Sequence, residues 1–190
     1  MPLGHGVPCP LAMPMNDELR NRRSVRLKHF DYQSPAAYFV TICTHEKQCI
    51  FGEIIEGMMA KNSLGEVVEE EWLRTGQLRP YVELDAAVVM PNHFHGVIMF
   101  VDVDEGTARH APTERVFAQS VSHSLASVVG SFKSAVSKRI NEVRGTPGAV
   151  VWQRNYYEHV IRNEHDLQQV REYIANNLAQ WEMDRENPFK

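Results

Sequence analysis

The sequence lacks the features that mark membrane, secreted and repeat proteins. None of its apolar runs approaches the roughly 20 residues that a membrane-spanning helix needs. The segment from Met1 to Pro10 has neither a basic start nor an unbroken apolar stretch, so it does not resemble a secretory signal. Internal repeats and low-complexity tracts are also missing. These absences predict a soluble protein with one globular domain and no membrane partner.

Cysteine is scarce as well. The three cysteines, Cys9, Cys43 and Cys49, are odd in number and lack the spacing of a disulfide framework. This usage is typical of a reducing compartment, and we expect a cytoplasmic protein. Because Cys43 and Cys49 lie in or near a predicted strand, small buried apolar side chains are a better interpretation than a metal site.

Charge of one sign is not abundant either. The chain has 20 Lys and Arg against 24 Asp and Glu, a net charge of −4, which argues against a protein that coats nucleic acid non-specifically. Basic residues nevertheless cluster within residues 20–28 and again within residues 133–162. Charge alone leaves two interpretations equally open, a mixed solvated surface and a basic face for phosphate groups.

Hydrophobic periodicity predicts both strands and helices. Strands are expected at 37–44 and 49–55, and the latter turns at Gly57 into a hairpin; the longest strand is expected at 86–101, with a bulge or break at Pro91 and Asn92. Amphipathic helices are expected from Asn62 or Ser63 to about Arg74 and over 125–140. A short strand-like piece at 149–152 precedes a last helix that Asn163 caps. Residues 102–122 show no period and are predicted to form a long loop.

This order of elements predicts the fold class. Strands that alternate with single helices indicate an α+β fold, an antiparallel sheet with helices packed on one face. The split β-α-β arrangement of ferredoxin-like folds is the natural candidate. We expect a loose N-terminal arm over residues 1–21 and a single domain over residues 22–190.

The most informative motif is Pro-Asn-His-Phe-His at residues 91–95, inside the apolar run of the longest predicted strand. Because side chains alternate along a strand, His93 and His95 point to one face and Phe94 to the other. Two imidazoles on one face are a suitable pair of metal ligands. Two hydrogen-bonded histidines without a metal remain an equal alternative for so short a motif.

The last predicted helix offers partners for this pair. Tyr173 and Asn177 are four residues apart, so they lie on one side of the helix and flank its apolar stripe of Leu167, Val170, Ile174 and Leu178. Tyr173 is a candidate nucleophile and Asn177 a candidate third metal ligand. The alternative interpretation is that Tyr173 is a half-buried residue at the edge of the apolar stripe, with its hydroxyl in water.

Taken together, the motifs resemble the single-tyrosine HUH transposases, and most closely the REP-associated tyrosine transposases. The resemblance covers nearly all of residues 22–188 and rests on several motifs in order, at residues 22–28, 38–44, 88–96, 132–136, 151–159, 161–163 and 172–177. It implies an RRM-like, ferredoxin-like nuclease core. One departure is Leu178, where relatives often have proline.

The resemblance implies a specific chemistry. The family cuts single-stranded DNA next to small hairpins, and a tyrosine, here Tyr173, stays joined to the 5′-phosphate while a 3′-hydroxyl is released. A divalent metal, Mg²⁺ or Mn²⁺, would be held by His93, His95 and Asn177. The expected partners are single-stranded DNA with hairpins such as REP-like elements, and a second copy if the protein is a homodimer rather than a monomer.

Nine residues are candidate DNA contacts: Arg22, Arg23, Arg26, Lys28, Lys133, Arg154, Tyr156, Tyr157 and Arg162. Tyr156 and Tyr157 also compete with Tyr173 as nucleophile, although stacking of unpaired bases or core packing fits them better. Two other functions remain open on the sequence. One is a non-catalytic or domesticated DNA-hairpin-binding protein, and the other is a two-histidine hydrolase of small phosphoesters.

Overall fold

The computed structural model describes residues 36–101, 124–184 and 186–189, and these form strands, helices and short connections. The strands are β1 (Ala37–Cys43), β2 (Gly52–Ile55), β3 (Met58–Lys61), β4 (Val82–Val89), β5 (His93–Phe100) and β6 (Tyr157–Ile161). The helices are α1 (Ser63–Gln77), α2 (Leu125–Arg144) and α3 (Glu164–Asn176), and 3₁₀ turns cover His45–Lys47 and Leu178–Met183. None of the helices in the described ranges combines the length and apolar character that a membrane span requires.

Four strands form one antiparallel sheet in the order β4-β5-β1-β6. Strand β5 lies between β1 and β4, and β1 lies between β5 and β6. Helix α1 lies in the connection from β1 to β4, and these two strands flank β5. Helix α2 lies in the connection from β5 to β6, and these two strands flank β1. This is the split β-α-β arrangement expected from the sequence. Strands β2 and β3 form a separate hairpin between β1 and α1, and the α+β fold class is confirmed.

Side-chain caps define where each helix begins. The Asn62 side chain accepts hydrogen bonds from the backbone N–H groups of Leu64 and Gly65 at the start of α1. Ser124 and Asn163 cap α2 and α3 in the same way. These side chains satisfy backbone donors that have no partner inside a helix. The sequence expectation for Asn163 is confirmed.

One face of the sheet carries the larger core, against which α1 and α2 pack. Phe94 of β5 contacts Trp72 of α1 and Phe132 of α2, with ring centroids 4.7 and 5.4 Å away. Gly96 makes this packing possible, since a Cβ atom there would lie 2.5 Å from Trp72 Cζ2. Aromatic packing on the α1 and α2 side of the sheet thus fixes the strand that bears His93 and His95.

Helix α3 packs on the opposite face. Its buried residues Leu167, Val170 and Ile174 contact Phe39, Val97 and Ile161 of the three strands β1, β5 and β6. The expectation that the helices share one face was therefore wrong in this respect. Alternation along β1 provides an apolar side chain to both faces, so a third helix can cover the second face.

Other expectations also changed. The strand predicted over 86–101 is two strands, β4 and β5, joined by a turn in which the Met90 N–H donates to the His93 carbonyl. The turn lies where Pro91 and Asn92 predicted a bulge or break, and because it is as buried as the strands, hydrophobicity did not divide the run into two strands. The piece at 149–152 forms only a bridge between Trp152 and Thr44, whereas β6 had not been predicted. The arm over residues 1–21, the domain boundary at residue 22 and the predicted loop at 102–122 lie outside the described residues.

Candidate metal centre

The two histidines of the motif face each other on the α3 side of the sheet. His93 is 0% exposed and His95 is 2% exposed. Their Nε2 atoms are 3.0 Å apart. Two ligand atoms on adjacent corners of an octahedron around a small divalent cation are separated by about the same distance, because their bonds to the cation are about 2.1 Å long. Strand alternation thus brings the two rings together as the sequence predicted.

Each ring is held through its other nitrogen. Asn92 Oδ1 lies 2.8 Å from His93 Nδ1, and Thr41 Oγ1 lies 2.8 Å from His95 Nδ1. Thr41 stands opposite His95 in the pairing of β1 with β5. Contacts of this kind set the orientation of an imidazole ligand and the position of its proton.

Burial keeps both rings neutral. It lowers the pKa of His93 from 6.5 to about 4. Burial, together with the neighbouring His93, lowers the pKa of His95 well below 6.5. A protonated imidazole has no lone pair for a metal, whereas a neutral one does. Both rings are therefore in the form that binds metal at neutral pH.

A carboxylate that the sequence analysis had not identified lies beside the pair. Asp184 Oδ2 is 3.9 Å from His93 Nε2, and one donor atom from each of His93, His95 and Asp184 lies within 4.8 Å of the others. Asp184 follows the 3₁₀ turn whose Trp181 ring lies 6.1 Å from His93. Its segment has no periodic pattern, so no feature of the sequence indicates that it folds back.

Asn177, the predicted third ligand, ends α3. Its side chain is buried, and its Oδ1 atom has no hydrogen-bond partner among the described residues. A buried amide oxygen without a partner is costly unless a ligand occupies it. The two neutral imidazoles and the Asp184 carboxylate form a mixed nitrogen and oxygen donor set. Such a set fits a divalent cation such as Mn²⁺ and, with its oxygens, Mg²⁺.

Tyr173 lies against the histidine pair. Its ring centroid is 5.4 Å from that of His95 and 5.8 Å from that of Phe39. Asn177, one helical turn further along, lies on the same side of α3. The sequence-predicted tyrosine and histidines therefore come together at one place, although Tyr173 and His93 are 80 positions apart in the numbering.

Two polar anchors fix α3 to the sheet. Arg171 donates two hydrogen bonds to Asp85 in β4, at 2.9 and 2.6 Å, and these bonds lower the pKa of the Asp85 carboxyl. At the other end of α3, His159 Nε2 lies 3.1 Å from both carboxylate oxygens of Asp166. The bidentate arginine contact restrains both distance and angle, and so restrains where Tyr173 lies.

The competing tyrosines have different surroundings. Tyr157 is 40% exposed in β6 and stands opposite Thr41, which in turn stands opposite His95. It therefore lies two strands away from His95 on the same face, about 10 Å at the usual strand spacing. Tyr156 is half-buried and packs against the larger core.

The predicted DNA contacts are distributed unevenly. Lys133 Nζ donates to the carbonyls of Gln153, Arg154 and Asn155, at 2.7, 3.2 and 3.4 Å, so its charge fixes the loop before β6. Arg154 and Arg162 are exposed. The remaining four, Arg22, Arg23, Arg26 and Lys28, lie outside the described residues.

Comparison with known proteins gives one close relative and one shared fold. The chain is 38% identical over 176 residues to an uncharacterized protein of Haemophilus influenzae. The aligned region covers 90% of this chain and 95% of the relative. No family model matches the chain. A REP-associated tyrosine transposase, solved bound to a REP hairpin, superposes with a TM-score of 0.50 at 17% identity, over 82% of this chain and 74% of that one. This likeness confirms the fold that the motifs implied.

Proposed function

We propose that this chain is a metal-dependent single-stranded DNA endonuclease and strand transferase. The chain belongs to the same family as the Haemophilus influenzae protein, and it has the fold of the REP-associated tyrosine transposase. The observation that carries the proposal is the contact between the rings of Tyr173 and His95, 5.4 Å apart. A nucleophile beside a paired-histidine centre is the arrangement that phosphoryl transfer to tyrosine needs.

The reaction we propose is an exchange of phosphodiesters. The Tyr173 hydroxyl loses its proton, and its oxygen attacks the phosphorus of the scissile bond. The bond from phosphorus to the 3′-oxygen breaks, that oxygen takes up a proton, and the 5′-phosphate remains joined to Tyr173. Attack by another 3′-hydroxyl reverses these steps and joins the two strands. One phosphodiester replaces another, so the exchange needs no nucleotide cofactor.

The divalent cation would be Mg²⁺ or Mn²⁺, held by His93, His95 and Asn177 with Asp184 alongside. When bound, it supplies positive charge that stabilises the charge developing on the phosphate oxygens. Tyrosine needs such help because an ordinary phenol has a pKa near 10 and is largely protonated at neutral pH. The residues of this chain orient the nucleophile through the Arg171 and Asp166 anchors of α3.

The substrate we propose is single-stranded DNA that carries small hairpins. Support comes from the solved transposase of the same fold, which was bound to a REP hairpin. Arg154, Arg162 and the exposed face of Tyr157 are the described candidates for contacts with phosphates and unpaired bases. A cytoplasmic location, and the choice between monomer and homodimer, remain predictions.

The experiment is a covalent-adduct assay. The full chain is incubated with end-labelled hairpin DNA and Mn²⁺, and protein joined to DNA is resolved on a denaturing gel. We expect an adduct that Tyr173→Phe abolishes, because phenylalanine keeps the ring packing and removes the reacting oxygen. Tyr157→Phe is the matched control, since it removes a hydroxyl from the same sheet face, and it should retain the adduct.

Three outcomes contradict the proposal. An adduct that survives Tyr173→Phe and disappears in Tyr157→Phe moves the nucleophile to β6. Hairpin binding that depends on salt but never gives an adduct, with or without metal, indicates a non-catalytic DNA-binding protein. Hydrolysis of small phosphoesters by the Tyr173→Phe variant at the wild-type rate indicates water as the nucleophile.

A further inference from the structure

We infer that Thr41 is a positioning residue that lets His95 move its ring proton when metal binds, whereas Asn92 keeps the proton of His93 in one place. This inference rests on the metal centre of the proposed function. It concerns two side chains that contact the imidazoles and are not themselves ligands. The two histidines, similar in burial, are held by partners of different chemistry.

Asn92 fixes the tautomer of His93. Its Nδ2 group donates to the backbone carbonyls of Lys47 and Glu186, at 3.1 and 2.6 Å, so the amide has one orientation. The Oδ1 atom then faces His93 Nδ1 at 2.8 Å and can only accept a hydrogen bond. His93 therefore carries its proton on Nδ1 and presents a lone pair from Nε2.

The short distance between the rings then constrains His95. Two desolvated Nε2 atoms 3.0 Å apart repel each other if both present lone pairs, so a proton or a cation must lie between them. Without a cation, His95 carries its proton on Nε2 and donates it to His93. With a cation bound to both Nε2 atoms, the His95 proton must instead be on Nδ1. The ring has one proton in both states, and only its position changes.

Thr41 is the group that accommodates both positions. A hydroxyl has one donor and two acceptor lone pairs. Thr41 Oγ1, 2.8 Å from His95 Nδ1, therefore donates to Nδ1 in the first state and accepts from Nδ1–H in the second after a rotation of its O–H bond. An amide with the fixed orientation of Asn92 could not do this. The pairing of Thr41 with His95 across β1 and β5 keeps the hydroxyl in reach throughout.

Removal of the hydroxyl should weaken metal binding. Thr41→Val keeps the β-branched shape and leaves the Nδ1–H of the metal-bound state without an acceptor. A cation on Nε2 polarises that N–H and makes its hydrogen bond stronger, so the metal-bound state loses more than the metal-free state. Loss of such a contact typically weakens metal binding about 10- to 100-fold. Thr41→Ser keeps the hydroxyl and should bind within about threefold of wild type.

The test combines affinity with a spectrum of the ring nitrogens. Mn²⁺ affinity of the full chain is measured by electron paramagnetic resonance for wild type, Thr41→Val and Thr41→Ser. The ¹⁵N shifts of histidine-labelled protein are recorded without metal and with Zn²⁺, a d¹⁰ ion that imidazole binds. We expect His93 to be protonated on Nδ1 in both spectra. We expect His95 to change from Nε2–H without metal to Nδ1–H with Zn²⁺.

Two results would overturn the inference. One is wild-type Mn²⁺ affinity in Thr41→Val, and the other is a His95 ring already protonated on Nδ1 without metal. The proposed function fails independently. Tight Mn²⁺ binding and the expected tautomer change without any DNA adduct would remove the strand-transfer proposal and leave the role of Thr41. A normal DNA adduct, together with wild-type Mn²⁺ affinity in Thr41→Val, would remove the role of Thr41 and leave the strand-transfer proposal. A wild-type chain that binds neither Mn²⁺ nor Zn²⁺ removes both.

Discussion

Protonation of the buried histidine pair should destabilise the fold in mild acid. Burial lowers the pKa of His93 from 6.5 to about 4, so between these values the unfolded chain binds a proton that the native chain does not. Stability is therefore fully present above pH 6.5 and falls as the pH drops towards 4. The shift in the His93 pKa contributes about 3 kcal/mol to the free energy of unfolding, and about 2 kcal/mol of this contribution is lost between pH 7 and pH 5.

The assay is urea unfolding at pH 7 and pH 5, with a chelator present so that metal does not stabilise the native state. With a slope of about 2 kcal/mol per molar urea, typical of small domains, the contribution of His93 alone should lower the midpoint by about 1 M. His93→Gln cannot take up this proton and should lose the share of the pH dependence that His93 contributes. His45→Gln, which removes a half-exposed histidine, is the matched control and should keep it.

The reasoning is refuted if His93→Gln and His45→Gln show the same pH dependence as wild type. That result would mean that His93 gains a proton as readily in the folded protein as in the unfolded one. His95 contributes in the same direction as His93, because its pKa is also lowered. Its effect should persist in His93→Gln over the same pH range, because the unfolded chain again gains a proton below pH 6.5 that the native chain does not.

The other predictions concern the support of the site. Gly96→Ala should lower the free energy of unfolding, measured with urea, by about 1–3 kcal/mol, since the new methyl group overlaps Trp72. The control Gly130→Ala, at an open helical position, should raise it by up to about 1 kcal/mol. Equal effects of the two substitutions would contradict this packing. Arg171→Met should slow adduct formation by a larger factor than it lowers Mn²⁺ affinity, because it frees α3, which carries Tyr173, from Asp85, whereas His93 and His95 lie on β5; an equal loss of both would show a wider disruption. Mn²⁺ affinity should vary by less than about twofold between pH 6.5 and pH 8, because both histidines stay neutral there; a steep rise with pH would contradict their low pKa values.

Local patterns were sufficient for much of the fold. The β-branched and aromatic run of β1, the capped amphipathic helices and the alternation of His93 with His95 each depend on neighbours in the chain, and each was predicted. Pro91 and Asn92 predicted a bulge or break at the turn between β4 and β5, but not two separate strands, because Met90 and Asn92 are 0% exposed. A turn buried under other segments has no polar signature, so hydrophobicity extends one strand through it.

The candidate site divides in the same way. The sequence alone determined the chemistry of the histidine pair, since alternation along one strand requires them to share a face. It also determined the spacing of Tyr173 and Asn177, since four residues complete about one helical turn. The motif resemblance supplied the expectation that these two groups meet.

Only the tertiary structure decided the rest. Packing of α3 on the second face of the sheet brings Tyr173 to His95, and the return of the C-terminal segment brings Asp184 to His93. Asn92 and Thr41 acquire their roles from a buried turn and from the register of β1 against β5. These contacts join residues that are far apart in the chain. They depend on the packing of helices on both faces of the sheet, and no local sequence pattern specifies that packing.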